Sequence, residues 1–211
     1  MSKGRFITVE GVEGAGKTTC LNLLKAAIEA CGIELVVTRE PGGTQLGEEL
    51  RELLLGHKHT GMSDDAELLM MFAARAEHLK QKIEPALNSG KWVLCDRFTD
   101  ATYAYQGGGR ELGMQRIADL ETWVQGDRRP DMTVLMDLPV EQGLERAGKR
   151  SQPDRFESEA LAFFERVRTA YLAIASAQPE RVKTVNASRT LDEVSASVSE
   201  VIEEYLDHVR A

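Results

Sequence analysis

The chain is predicted to be an α/β protein, a parallel sheet with helices on both faces, on two observations. Strand-like apolar runs alternate with helix-like amphipathic segments from one end of the sequence to the other. The first of these runs leads through a glycine-rich turn directly into a helix. A length of 211 residues suits one such domain, residues 1–211, with a sizeable core.

The elements follow in order. Phe6-Ile7-Thr8-Val9 is β-rich and reads as a buried strand, and residues 19–30 carry apolar side chains at helical spacing (Cys20, Leu21, Leu24, Ile28). Residues 33–38 (IELVVT) form the second strand. The turn Pro41-Gly42-Gly43 leads into a helix over Gln45–Leu55. A long helix over 64–88 is capped by Ser63 or Asp64 and ends near Ser89-Gly90. Trp92-Val93-Leu94-Cys95 is a third, fully buried strand, and Met114–Gln125 is helical. Residues 132–138 (MTVLMDL) make the fourth strand and 140–147 a further helix. A polar stretch, 148–154, precedes a helix over about 157–176. A short fifth strand at 182–185 and a closing helix at 191–209 complete the chain.

Composition excludes several classes. The formal net charge of −8 argues against broad binding to nucleic acid or an anionic membrane, which needs a basic surface. No window approaches a membrane span, and the apolar run near the N-terminus is too short for a signal peptide. Cys20, Cys31 and Cys95 lie in apolar contexts without a C-x-x-C pair. They read as small core residues in a reducing compartment, so a cytoplasmic protein without a zinc site is expected.

Function begins at Gly11-Val12-Glu13-Gly14-Ala15-Gly16-Lys17-Thr18, which fits G-x-x-x-x-G-K-[ST] between a strand and a helix. Glycines there let backbone N–H groups turn inward around a di- or triphosphate, and the helix N-terminus adds partial positive charge. Lys17 would bridge the outer phosphates, and the Thr18 hydroxyl would ligate Mg²⁺. The expectation is a P-loop NTPase fold.

In open parallel sheets, ligands collect beyond the carboxyl ends of the strands. Those ends carry Glu10, Arg39-Glu40, Asp96-Arg97 and Asp137. Asp96, after the apolar run WVLC, is the expected partner of Thr18 around Mg²⁺, with Glu10 a further candidate. Arg39 and Arg97 offer guanidinium forks for phosphate. Arg146, Lys149, Arg150 and Arg155 in or beside the polar stretch suggest a basic lid at about 146–157. Tyr103 to Arg110 (YAYQGGGR) reads as a glycine-rich loop, and Phe72 and Arg75 share a helix face suited to stacking on and reading a base.

The segments EGVEGAGKTT, TREPGGTQLGEELRELLL, FAARAEH, CDRFTDATYAYQGGGR and DRFE, in this order and spacing, resemble bacterial thymidylate kinases. The likeness runs with specific motifs from about Arg5 to Glu157 and more loosely beyond. It implies transfer of a phosphoryl group from ATP to dTMP, a five-stranded parallel sheet, Mg²⁺, a homodimer and a place in dTTP synthesis. It assigns ATP to residues 11–19, that is Gly11, Val12, Glu13, Gly14, Ala15, Gly16, Lys17, Thr18 and Thr19, together with Arg146, Arg150 and Arg189. It assigns dTMP to Glu13 (the sugar 3′-hydroxyl), to Pro41, to Arg39, Arg51 and Arg97 around the phosphates, chiefly that of dTMP, and to Phe72, Arg75, Thr102 and Gln106 around the base. Tyr103 matches the ring beneath the sugar. The loop holds Glu13, Gly14 and Ala15 where some members carry a catalytic arginine. This chain therefore resembles the subtype with a basic lid, and Arg150 is the residue expected nearest the transferring group, beside Lys17, Arg97 and Asp96.

Such chemistry needs no strong base, because the acceptor phosphate is an anion at neutral pH. His57 and His59 flank Lys58 in a polar segment and are expected to be exposed. The residues leave open a kinase for another nucleoside monophosphate, dUMP or CMP. Glu13, Arg75, Tyr103 and Gln106 favour thymine on a deoxyribose. A nucleotide-dependent switch would carry N-K-x-D and D-x-x-G for guanine nucleotides, and neither occurs in the sequence.

Overall fold

A computed structural model describes residues 4–59, 61–149 and 154–210. Five strands, β1 (Phe6–Glu10), β2 (Leu35–Arg39), β3 (Trp92–Asp96), β4 (Met132–Asp137) and β5 (Val182–Asn186), form one parallel sheet. Their order is β2-β3-β1-β4-β5, so the strand that feeds the glycine loop lies at the centre. The register aligns Val9 with Asp96 and Arg39 with Asp96, which brings the polar strand ends to one edge.

The helices are α1 (Lys17–Ala30), α2 (Gln45–Leu55), α3 (Asp64–His78), α4 (Glu84–Asn88), α5 (Thr99–Thr102), α6 (Met114–Gln125), α7 (Val140–Gly148), α8 (Leu161–Ala177) and α9 (Leu191–Arg210). Alternation along the strands divides the core. Phe6, Val93 and Cys95 pack against Leu79, Ile83 and Leu87, in the turn that follows α3 and in α4. Ile7, Trp92 and Leu94 face Cys20, Leu24 and Ile28 of α1 and Val198, Ile202 and Leu206 of α9. At roughly 25 cal/mol per Å² of apolar surface removed from water, each such large side chain contributes about 2 kcal/mol. Thr44 and Ser63 cap α2 and α3 by accepting from Gly47 N and Ala66 N. Thr190 and Glu193 make a reciprocal capping box at α9.

Most expected elements lie within two residues of those observed, and three features differ. The long helix expected over 64–88 is continuous but passes through a π-helical turn at Leu79–Ile83 between α3 and α4. The glycine-rich stretch expected as a loop is helical: α5 runs on into a π-helical segment, Tyr103–Gly109. Gly108 and Gly109 serve close packing on α8, since a Cβ on Gly108 would sit 2.8 Å from that of Ala170, and Gly107 packs on Met114 and Ile117 of α6. Finally, α8 starts at Leu161 and not near 157, because Asp154 and Glu157 cap each other's backbone N–H in a preceding turn.

His57 and His59 are exposed, as expected. The cysteines are free thiols, with Cys20 and Cys95 buried and Cys31 half-buried.

Candidate active site

The phosphate loop closes the sheet's central edge. Gly14 stands at φ 71°, and a Cβ there would lie 1.9 Å from the Gly143 carbonyl oxygen of α7, so no side chain fits. Lys17 Nζ donates to the carbonyls of Gly11 and Val12 at 3.1 and 3.0 Å, curling the side chain back over the loop. Burial, followed by the nearby Arg97 charge, holds its ammonium below the usual lysine range. Thr18 and Thr19 are exposed in the first turn of α1.

Asp96 ends β3 beside this loop. Its Oδ1 is buried without a partner among the described residues, and its charge acts on Lys17. A hard-cation ligand needs such an uncommitted carboxylate oxygen, so Asp96 with the Thr18 hydroxyl fits Mg²⁺. Glu10 is committed elsewhere. Its Oε1 accepts from Phe98 N and its Oε2 from the Tyr171 hydroxyl, both at 2.7 Å. Burial pushes its carboxyl up to about 8, with the Asp100 charge adding to the shift. Asp137, also at a strand end, is held by a two-pronged ion pair with Arg168.

Arg97 joins the loop to the rest of the site. Its backbone adopts φ 68°, a region that costs a side chain about 1–2 kcal/mol. The Arg97 N–H bond to Val9 O anchors that conformation. From there Nη2 donates to Glu13 Oε1 at 2.7 Å and Nη1 to the Tyr171 hydroxyl at 3.2 Å. Burial pulls its pKa down, but Glu13, Tyr105, Tyr171 and Asp96 together outweigh it, and the guanidinium stays charged well above the usual range.

Next to the loop opens a cavity whose wall includes Glu13, Pro41, Arg51, Arg75, Arg97, Thr102 and Gln106. These seven expected residues are brought together from five segments of sequence. Arg51 Nη1 donates to Pro41 O at 2.9 Å. Burial and then the Arg39 charge lower its pKa. Gln106 gives its amide N–H to Glu67, which also receives Arg110 and Arg155. This leaves the Gln106 carbonyl as an acceptor.

Three expected residues are not on that wall. Arg39 is exposed and paired with Glu48. Phe72 packs on Leu68 and Ile117, and Met71 takes the place at the cavity. Tyr103 donates to Glu121 at 2.6 Å on the far side of its helical segment. Tyr105 lies on the wall instead, its hydroxyl 2.8 Å from Glu13 Oε1. Two steps along a helix turn a side chain to the opposite face, and this separates Tyr105 from Tyr103.

The wall also holds Glu40, Phe98, Asp154 and Phe156. Glu40 and Asp154 belong to the segments TREPGG and DRFE, and only the folded chain brings them to the cavity.

Of the basic cluster, Arg146 Nη1 donates to Ala187 O in the loop after β5, and Lys149 is exposed and paired with Glu145. Arg155 is not part of a free segment: it is buried, giving one donor to Leu54 O and another to Glu67. Arg189 is exposed. Arg150, with residues 151–153 of the expected lid, lies outside the described residues.

The sequence profile described as thymidylate kinase matches residues 9–198. A curated thymidylate kinase of Pseudomonas syringae pv. tomato is 56% identical over 204 residues, 97% of each chain. One of Alkalilimnicola ehrlichii is 54% identical over 203 residues, 96% of this chain and 94% of that one. The crystal structure of a thymidylate kinase from Ehrlichia chaffeensis superposes with a TM-score of 0.77 at 34% identity, covering 95% of this chain and 99% of that chain.

Proposed function

The chain belongs to the thymidylate kinase family and phosphorylates dTMP to dTDP; we propose that ATP is held by its phosphate loop and dTMP by the adjoining cavity. The observation that carries this assignment is the position of Glu13. It is a residue of the phosphate loop and at the same time part of the cavity wall, held by Arg97 and Tyr105. Two phosphate-bearing ligands placed in these sites would meet across it.

Bringing two anions together is the main electrostatic task of phosphoryl transfer. Lys17 meets the outer phosphates of ATP once it leaves the loop carbonyls. Arg97 and Arg51, both on the cavity wall, meet the dTMP phosphate. Glu13 accepts from the sugar 3′-hydroxyl. Thr18 and Asp96 would hold Mg²⁺, which would supply neutralisation of the phosphate charge. Arg150 of the lid is the basic residue assigned to the transferring group, Arg146 belongs to the same basic cluster of the ATP site, and Arg189 borders the adenine. The dTMP phosphate attacks as an anion, so none of these residues has to remove a proton.

The base is read by complementarity. Gln106 offers a carbonyl acceptor and Arg75 a donor, the pattern that matches the N3–H and O4 of thymine. Cytosine presents an acceptor and an amino group at those positions and meets both with the wrong sign. Calorimetric titration tests this directly. One dTMP site per chain with dCMP bound at least about thirtyfold more weakly is expected, and equal binding of the two contradicts it.

The active form is a homodimer, and its product feeds dTTP synthesis in the cytoplasm. Supporting the dimer, Leu46 and Leu53 of α2, Leu69 of α3, and Met114 and Trp123 of α6 are exposed on neighbouring helices, Trp123 by 81%. Large apolar side chains so grouped mark association surfaces. Supporting the location, no helix among the described residues is long and apolar enough to cross a membrane, and the thiols are free.

A further inference from the structure

Arg75 is held in the cavity wall by more than its own contacts. Its guanidinium carbon lies 4.8 Å from the Phe72 ring centroid and 5.0 Å from that of Phe98, so two rings fix its plane. Within the plane, Nε donates to Glu40 Oε2 at 2.8 Å and Nη2 to Thr102 Oγ1 at 2.9 Å. Nη1 is buried and has no partner among the described residues. A buried donor left unpaired is costly, so this atom is reserved for an acceptor brought by a ligand.

Glu40 could swing away from Arg75 if only one of its oxygens were held. The second, Oε1, meets His78 Nδ1 at 2.9 Å, and His78 Nε2 meets the Thr38 hydroxyl at 2.7 Å. All four side chains of this chain, Thr38, His78, Glu40 and Arg75, are buried. They come from the end of β2, the turn after it, and one face of α3. Gly43 seals the outer end: at φ 84°, a Cβ there would lie 2.5 Å from His78 Nε2 and 2.7 Å from Thr38 Oγ1. His78 is not on the cavity wall. Its one evident route to the ligand is through Glu40.

We propose that His78, anchored by Thr38, is a positioning residue: by pinning Glu40 it aims Arg75 Nη1 at a pyrimidine carbonyl and so sets discrimination between a carbonyl and an amino group at that ring position. This rests on the assignment of Arg75 to base reading. Removing His78 leaves every group that touches the nucleotide in place but frees Glu40 to rotate. The effect therefore falls on substrate choice and affinity before it falls on turnover.

The test measures kcat and KM with dTMP and dCMP for the unsubstituted protein, His78→Leu, His78→Asn, Thr38→Val, Arg75→Ala and the double variant His78→Leu/Arg75→Ala. His78→Leu raises KM for dTMP about tenfold, lowers kcat by less, and reduces the dTMP:dCMP ratio of kcat/KM about tenfold. His78→Asn, whose amide N–H falls near the position of Nδ1, recovers most of the loss. Thr38→Val, which cuts only the outer anchor, shifts the same quantities about threefold and serves if His78→Leu does not fold. In the Arg75→Ala background, His78→Leu adds less than about twofold. Unchanged selectivity in His78→Leu or Thr38→Val, while Arg75→Ala loses it, overturns the positioning role and leaves base reading intact. The same holds if His78→Leu costs as much without Arg75 as with it. Unchanged selectivity in Arg75→Ala itself overturns base reading and the positioning role together.

Discussion

Arg97 Nη2 stands 2.7 Å from Glu13 Oε1, an ion pair that ties the end of the third strand to the phosphate loop. The pair is largely enclosed, with Tyr105 and Tyr171 hydroxyls completing it. One arginine thus fixes the loop residue that the two nucleotide sites share.

That geometry depends on a fork and not on charge alone. Arg97→Lys keeps the cation but cannot reach Glu13 and Tyr171 together. We expect kcat/KM for dTMP to fall about 10²-fold, roughly the effect of losing one well-placed charged donor. Steady-state kinetics checks this, and a loss below about threefold contradicts it.

Lys17 is absent from the cavity wall yet bonded to the loop. Lys17→Met should lower kcat about 10³-fold while dTMP affinity, read by calorimetry, stays within about threefold. A parallel loss of dTMP affinity contradicts the separation of the two sites.

Glu10 gives a pH signature to stability. Its carboxyl is raised to about 8 by burial first, against an ordinary value of 4.5. Between these two values the folded protein binds more protons than the unfolded chain, so this group's contribution to stability declines as pH rises from about 4.5 to about 8. Glu10→Gln keeps a neutral group that can serve Phe98 N and Tyr171, and removes the decline. Urea unfolding at pH 6 and pH 8.5 should therefore show the variant gaining on the unsubstituted protein at the higher pH. A constant difference between the two contradicts the assignment.

The exposed apolar face predicts assembly. Leu53→Glu combined with Leu69→Glu places charge on α2 and α3 without touching the core. Sedimentation at micromolar concentration should show dimers before the change and monomers after it. Monomers in both cases contradict the dimer.

Much of this molecule was legible in its sequence. The central strand, loop and helix were plain because glycines at fixed spacing have few other uses, and the strands because buried parallel strands read as unbroken apolar runs. Less legible was which side of a segment faces the ligand. Tyr103 and Tyr105 are equivalent on paper, and only the helical turn at Tyr103–Gly109 sends the second to Glu13. Met71, and not Phe72, lines the cavity for a similar reason: the face of α3 that packs on Leu68 and Ile117 takes the ring inward. Arg155 reads as part of a basic run, yet Glu67, 88 residues away, draws it into the interior. The link from His78 to Arg75 through Glu40 crosses three elements, and no local pattern in the sequence encodes it.

The central claim is tested most directly by ADP formation from Mg·ATP with dTMP, dUMP, dCMP, CMP, AMP, GMP and no acceptor, side by side. The account predicts turnover with dTMP well above every other acceptor, and only slow ADP release without one. Preference for a cytosine or purine nucleotide, or ADP release independent of any acceptor, would contradict it.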